Sequence, residues 1–351
     1  MTILYVLLSI LLIGILVLVH EAGHYTAARL TGLPVHEFAI GFGKRIWSRE
    51  KNGILYSLRL IPFGGFVSFA DTEDEKGLEK YYSVAVWKRL IVSAAGSFTN
   101  ILFAFVVLII FSMAGGIHDS ATPTPVLSAV SAGSAAEQAG IKPGDRILSV
   151  AGVTIGDDVS LISKTISASG GKPIDITLER EGKQMSVVVT PQYNDAEKRY
   201  MIGVTPGQVL GPPVYMSFGR AVSYSLVTMV NAVKEILVFL FGLFTQGKGA
   251  GDMSTPIGIV SQMTTLAQQY GIATLINIAV FLSVNLGVFN LLPLPALDGS
   301  KIVFLIVEAI RRKPVPPDKE GMVQFVGFAL FIVLFVFLAG RDIARLFGWV
   351  A

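Results

Sequence analysis

No charged side chain occurs in the first 19 residues. As a helix rising 1.5 Å per residue they cover about 28 Å, close to the thickness of a bilayer core. Three more charge-free runs follow, at residues 90–114, 271–297 and 322–340. A removable signal peptide fits the first run poorly. No basic segment precedes it, it exceeds the usual ~7–15 residues, and no small-x-small site stands before His20. Apolar residues make up 52% of the 351-residue chain and charged ones 15%, where an ordinary soluble domain has about a quarter charged. That balance excludes disorder. The absence of cysteine excludes a disulfide scaffold, thiolate chemistry and Cys-ligated metal. A net charge of +3, with no long basic run, gives no case for nucleic acid as a partner.

Four spanning helices are therefore expected, in segments 1–28, 90–114, 271–310 and 322–340. The third runs into Pro293-Leu294-Pro295. Irregular backbone there must be buried in protein or line a wet cavity, since lipid cannot satisfy open N–H and C=O groups. The apolar stretch 221–244 carries Lys234 and Glu235 at its middle. Each charge would cost about 2.5–3.5 kcal/mol on insertion scales, so the spacing predicts an interfacial or bundle-packed helix within a 207–270 linker region. Ten Lys and Arg residues lie between the first and second spans, in segment 29–89, and five between the third and fourth. Both loops read as cytoplasmic. The long segment 115–270 then lies outside.

That outer segment changes character. Short β-type runs at 126–130, 146–150, 174–179 and 186–190 alternate with Gly, Pro and Asp turns, and 135–139 reads as a short helix. The order of Ala132-Gly133-Ser134-Ala135-Ala136, Gly140-Ile141-Lys142-Pro143-Gly144-Asp145 and Ile147-Leu148-Ser149-Val150-Ala151-Gly152 resembles the circularly permuted PDZ domains of bacterial proteases. The resemblance implies an extracytoplasmic PDZ domain over 121–206, closed by a strand at 201–204. The expected fold is thus a multi-pass α-helical membrane protein with an inserted α+β PDZ domain and a membrane-associated β-hairpin region. The hairpin is read from 45–48 and 54–60, which alternate around Lys51-Asn52-Gly53, because an Asn-Gly turn favours φ > 0. The following Gly64-Gly65-Phe66-Val67-Ser68-Phe69 reads as an extended strand at the membrane. Its open edge needs a partner, and a peptide substrate is one candidate.

Chemistry concentrates in His20-Glu21-Ala22-Gly23-His24, at the end of the first apolar run. Residues four apart share a helix face, so two imidazoles can converge on one metal while Glu21 reaches a metal-bound water. A catalytic site usually has a third protein ligand. Asp298 is the strongest acidic candidate, being the charge that ends the third apolar run. Its alternative role is to cap a helix over 300–310.

His20 to His24, taken with Asn290-Leu291-Leu292-Pro293-Leu294-Pro295-Ala296-Leu297-Asp298-Gly299, resembles the site-2 proteases, the intramembrane zinc metalloproteases. Within that family the chain is most similar to the bacterial RseP-type members, which insert PDZ material between the second and third spans. Those often carry two tandem PDZ domains, whereas this chain has room for one plus about 65 further residues. The resemblance implies one Zn2+ per chain held by His20, His24 and Asp298, with Glu21 as general base and then proton donor. It also implies that Asn290, Asn100, Gly64, Gly65 and Pro295 hold an unwound substrate or polarise its carbonyl, with an interhelical hydrogen bond as the alternative role for Asn100. Substrates would be single-span membrane proteins such as anti-sigma factors, already shortened by a first cut, and the location the bacterial cytoplasmic (inner) membrane. A membrane-anchored PDZ scaffold without proteolytic activity is the alternative, and a transporter using intramembrane His, Glu and Asp a third reading.

Overall fold

The structure, a computed structural model, describes residues 2–69, 75–118, 120–131, 133–194, 197–247 and 255–346. Ala132 of the PDZ-like signature lies outside them. In chain order the elements begin with α1 (Thr2–Thr31), β1 (Glu37–Lys51), β2 (Ile54–Ser68), α2 (Glu75–Tyr82) and α3 (Val86–Met113). There follow β3 (Ile117–His118), β4 (Ala121–Val130), α4 (Ala135–Gln138), β5 (Arg146–Val150), β6 (Val153–Thr154), α5 (Ser160–Ala168), β7 (Ile174–Arg180) and β8 (Lys183–Val189). Next come β9 (Gln192–Asn194), β10 (Arg199–Met201), β11 (Val204–Leu210) and β12 (Pro213–Val214). The chain closes with α6 (Phe218–Gln246), α7 (Pro256–Tyr270), α8 (Ala273–Asn290), α9 (Asp298–Arg311) and α10 (Pro317–Leu346). Two compact units result, one from residues 1–114 and 216–337, the other from 115–215 with the chain end from Leu338.

The first unit is built around α3. Gly23 of α1 faces Ala95 and Thr99 of α3 so closely that a Cβ there would stand 2.7 Å from the Ala95 carbonyl oxygen. Gly287 of α8 meets the other side, against Ser97 O and Ile101. Ser283 Oγ of α8 donates to Asn100 O at 2.8 Å. Small residues thus let three backbones approach, the usual means of packing helices where lipid offers no hydrophobic driving force. Tyr5, Leu8 and Leu12 of α1 pack with Met263 and Ala267 of α7 and Leu275 of α8.

Among the described residues five helices, α1, α3, α6, α8 and α10, are long and apolar enough to cross a membrane. Helix α6 contains the 221–244 segment expected as an interfacial or bundle-packed helix. Its 29 residues bury Ala221, Ser225, Met229, Ile236 and Leu240, while Lys234 and Glu235 are exposed. The expected third run divides at 291–297 into α8 and α9, as its prolines require.

The β segment is more than a hairpin. Residues 45–51 pair with 54–59 around Asn52 (φ 54°) and Gly53 (φ 73°), the expected turn. Residues 37–40 stand opposite 55–58 and also opposite 65–68, so the Gly65–Ser68 end of β2 lies beyond them at the margin of the sheet. Glu37, 4% exposed, accepts from Ser57 Oγ at 2.5 Å and Arg59 at 2.8 Å. Burial alone would raise its carboxyl, and these donors hold it below the usual carboxylate range instead.

In the second unit the sheet order is β11-β4-β5-β7-β8, with β6 on β5. Ile174, Ile176 and Leu178 alternate inward along β7 onto Leu127, Ile147, Val150, Ile162 and Ile166. Ser134 caps α4 by accepting from the Glu137 N–H at 3.3 Å. The strand expected at 201–204 is split: Met201 ends β10, paired with β9, and Val204 starts β11, paired with β4. Gly203, at φ 80°, makes the break against Ser134.

Candidate metal centre

Helix α1 presents His20 and His24 one turn apart, each 6% exposed. Asp298 comes from the first position of α9, 274 residues further along than His24. Its carboxylate does not cap the helix: Leu297 occupies the N-cap position and makes no side-chain cap bond. Instead Asp298 Oδ2 lies 3.0 Å from His20 Nε2 and 3.1 Å from His24 Nε2, and the two Nε2 atoms are 3.1 Å apart. Three such corners share a point about 2 Å from each, the length of a Zn–N or Zn–O bond. Because His24 Nδ1 lies 2.7 Å from the Val92 carbonyl oxygen, a neutral His24 carries its proton there and turns a bare Nε2 lone pair toward the Asp298 carboxylate, an arrangement that a cation satisfies. Among the described residues no other three metal-binding side chains converge.

The irregular 291–297 segment aims Asp298 at the histidines. Gly299 is required there, because a Cβ would meet the Leu291 carbonyl oxygen at 2.5 Å and clash with that of Leu292. Ala296 takes φ 70°, and its N–H donates to Gln324 Oε1 of α10 at 2.6 Å. Gln324 Nε2 in turn donates to Ser300 Oγ at 2.6 Å. Sequence reasoning misses Gln324, although an amide three residues into the 322–340 apolar run is the available signal. Pro295 packs on Gly327 of α10.

Helix α3 lies on the other side of the histidines. The Val92 carbonyl oxygen is 2.7 Å from His24 Nδ1, and Asn100 Nδ2 is 3.4 Å from His20 Nδ1. Gly96 sits between, and a Cβ there would stand 2.7 Å from His20 Nε2 and still closer to His24 Nε2. Glu21 is half-buried, and a Cβ on Gly65 would be 3.4 Å from its Cγ. The marginal strand of the sheet therefore runs beside the carboxylate that follows His20. Gly64, at φ 97°, turns the chain against Phe42. Asn290 ends α8 half-buried. The structure thus brings together His20, His24, Asp298, Asn100, Glu21 and Gly65 and places Asn290, Gly64 and Pro295 on adjoining elements.

Apolar helices around a His-His-Asp centre, both imidazoles buried and the carboxylate partly so, define an integral membrane protein with a site suited to a metal ion. The chain belongs to peptidase family M50, whose model matches residues 8–334. It is 30% identical to the regulator of sigma-W protease RasP of Bacillus subtilis, over 97% of this chain and 99% of that protein. It is also 30% identical to the zinc metalloprotease RasP of Geobacillus kaustophilus, over 96% and 97% of the two chains.

Proposed function

We propose that this chain is an intramembrane zinc endopeptidase that cuts single-span membrane proteins within the membrane. The observation that carries the reading is the triangle of His20 Nε2, His24 Nε2 and Asp298 Oδ2, with sides of 3.0–3.1 Å. These residues would hold the ion. Zinc bound there supplies a Lewis acid and brings the pKa of its water toward about 7.

Glu21 follows His20 on α1, about 100° round the helix. Its carboxylate takes a proton from the attacking water as the oxygen adds to the peptide carbonyl. It then delivers that proton to the leaving nitrogen as the C–N bond breaks. A helical substrate hides its carbonyls in i to i−4 bonds, so it must become extended first. The marginal 65–68 strand, whose Gly65 stands against Glu21, offers an edge on which an extended peptide can add. Asn290 and Pro295, on elements adjoining Asp298, are assigned to holding that peptide.

We read α1, α3, α8 and α10 as crossing the bacterial inner membrane, with α6 at its interface because Lys234 and Glu235 are exposed. The second unit is read as an extracytoplasmic PDZ domain, supported by its β-rich order and its two short helices, α4 and α5. The sigma-W protease name of the Bacillus relative supports an anti-sigma factor as substrate.

Cleavage of a single-span substrate in liposomes, with zinc counted in each preparation, tests this. Glu21→Gln is expected to abolish cleavage and keep zinc, and Asp298→Asn to lose both. A wild-type protein without zinc, or a Glu21→Gln variant that still cleaves, overturns the reading.

A further inference from the structure

Asn100 is fully buried, and its Oδ1 has no hydrogen-bond partner, while its Nδ2 lies 3.4 Å from His20 Nδ1. An orphaned buried carbonyl of this kind costs about 1–3 kcal/mol. His20 has the complementary deficit. Its Nε2 faces Asp298 and His24, so a neutral ring that gives this nitrogen to a metal must carry its proton on Nδ1. The Nδ1–H then needs an acceptor. The two ends of a side-chain amide exchange places by a half-turn about the last bond, and the hydrogen-bond network decides which end faces a neighbour. Turned so, Asn100 presents Oδ1 to the His20 Nδ1–H, which satisfies both the ring and the amide oxygen, and Nδ2 takes the place that Oδ1 leaves.

His24 shows the same arrangement already made. Its Nδ1 stands 2.7 Å from the Val92 carbonyl oxygen. Val92, Gly96 and Asn100 follow at four-residue intervals, so they lie on one face of α3, against the α1 face that carries His24 and His20. The acceptors sit at the two ends of this stripe and Gly96 leaves room for both rings between them. Ser283 Oγ of α8 donates to the Asn100 main-chain carbonyl oxygen at 2.8 Å and fixes the backbone there from behind.

We propose that Asn100 is a positioning residue that accepts the His20 Nδ1–H and holds Nε2 toward the metal. It acts as the side-chain counterpart of the Val92 carbonyl on His24. The inference rests on His20 and His24 being metal ligands, and it moves Asn100 from the substrate to the ligand shell. Outer-shell partners of ligating histidines commonly set metal affinity by 10–100-fold.

Zinc affinity of the full chain in detergent, read by competition with a chromogenic chelator, tests it without any substrate. Asn100→Leu, similar in size and without an acceptor, is expected to bind zinc 10–100-fold more weakly. Asn100→Asp, which keeps an acceptor, is expected to stay within about threefold of wild type, on the same scale. Equal zinc affinity in Asn100→Leu and wild type, with cleavage alone reduced, overturns the proposal in favour of a substrate contact. A wild type that binds no zinc instead removes the metal-site reading beneath it. Where Asn100→Leu does not fold, nitrogen-15 spectra of histidine-labelled, zinc-loaded wild type decide. A protonated, hydrogen-bonded Nδ1 on His20 is expected, and metal on Nδ1 overturns the proposal.

Discussion

Arg89 and Glu308 form a two-pronged ion pair, Nη1 to Oε2 at 3.0 Å and Nη2 to Oε1 at 2.6 Å, between residues 219 apart in the chain. Arg89 is 2% exposed and Glu308 8%. The guanidinium also lies over the rings of Tyr81 and Tyr82, at 5.2 and 5.4 Å. The pair ties the first turn of α3 to the last of α9. One helix lines the histidines and the other begins with Asp298, so the bond ties together the two helices that flank the proposed metal site.

Removing either partner leaves a buried charge alone, which commonly costs about 3–5 kcal/mol. Arg89→Met and Glu308→Met are each expected to lower the unfolding temperature sharply. The double variant is expected to recover most of the loss, because well-packed apolar pairs often replace buried ion pairs at little cost. A double-mutant cycle by thermal unfolding in detergent checks this, and additive losses would reject it.

Gly96 leaves no room for a methyl group beside the two Nε2 atoms. Gly96→Ala is therefore expected to displace a ring and weaken zinc binding by at least tenfold, about 1.4 kcal/mol. Gly14 lies on the same helix as the histidines, and a Cβ added to it would meet nothing within 4 Å, so Gly14→Ala is expected to bind zinc normally. Helix propensity alone favours alanine at both places, so opposite responses in a chelator titration isolate the space around the rings.

The convergence of His20, His24 and Asp298 was legible because these residues are anomalies in local context. His20, Glu21 and His24 end one charge-free run and Asp298 ends another, and lipid or protein interior makes each costly without a purpose. Arg89 with Glu308, and Gln324 with Ala296, were not legible, since a sequence shows such residues without saying which distant group each one meets. The sheet illustrates the same limit. Alternation and Asn52-Gly53 announce the hairpin, but nothing local says that 37–40 lies between 55–58 and 65–68. Helix α6 was legible as a helix, while the cost of Lys234 and Glu235 bears on where the segment lies rather than on how far it stays helical.

Gln324 holds the 291–297 segment by two bonds of 2.6 Å, to the Ala296 N–H and the Ser300 hydroxyl. Gln324→Leu keeps the apolar length of α10 and removes both. Loss of the bond to the Ala296 N–H is expected to cost about 0.5–1.5 kcal/mol locally. Faster hydrogen exchange at Ala296 and weaker zinc binding, with α10 itself unchanged, are the expected pair of results. Unchanged exchange at Ala296 would mean that the segment is held by its prolines alone.

In the second unit, Asp145 is 1% exposed and receives Arg180 Nε and Nη2 at 2.7 Å each and the Lys142 N–H at 2.8 Å. Burial by itself would raise its carboxyl, and the Arg180 and Lys142 donors override this and hold it below the ordinary range. A carboxyl depressed in the folded state stabilises it above the unfolded pKa of about 3.9, and that contribution is lost as pH falls through the lower folded value. Asp145→Asn is expected to cost about 2 kcal/mol at neutral pH, within the range for bonds to charged groups. Below about pH 4 the wild type is expected to lose this advantage, so the two curves converge toward acid. Urea unfolding of the full chain, followed by hydrogen exchange across 146–189 from pH 7 to pH 2, reads the difference. A constant gap across that window would show that Asp145 acts through packing rather than charge.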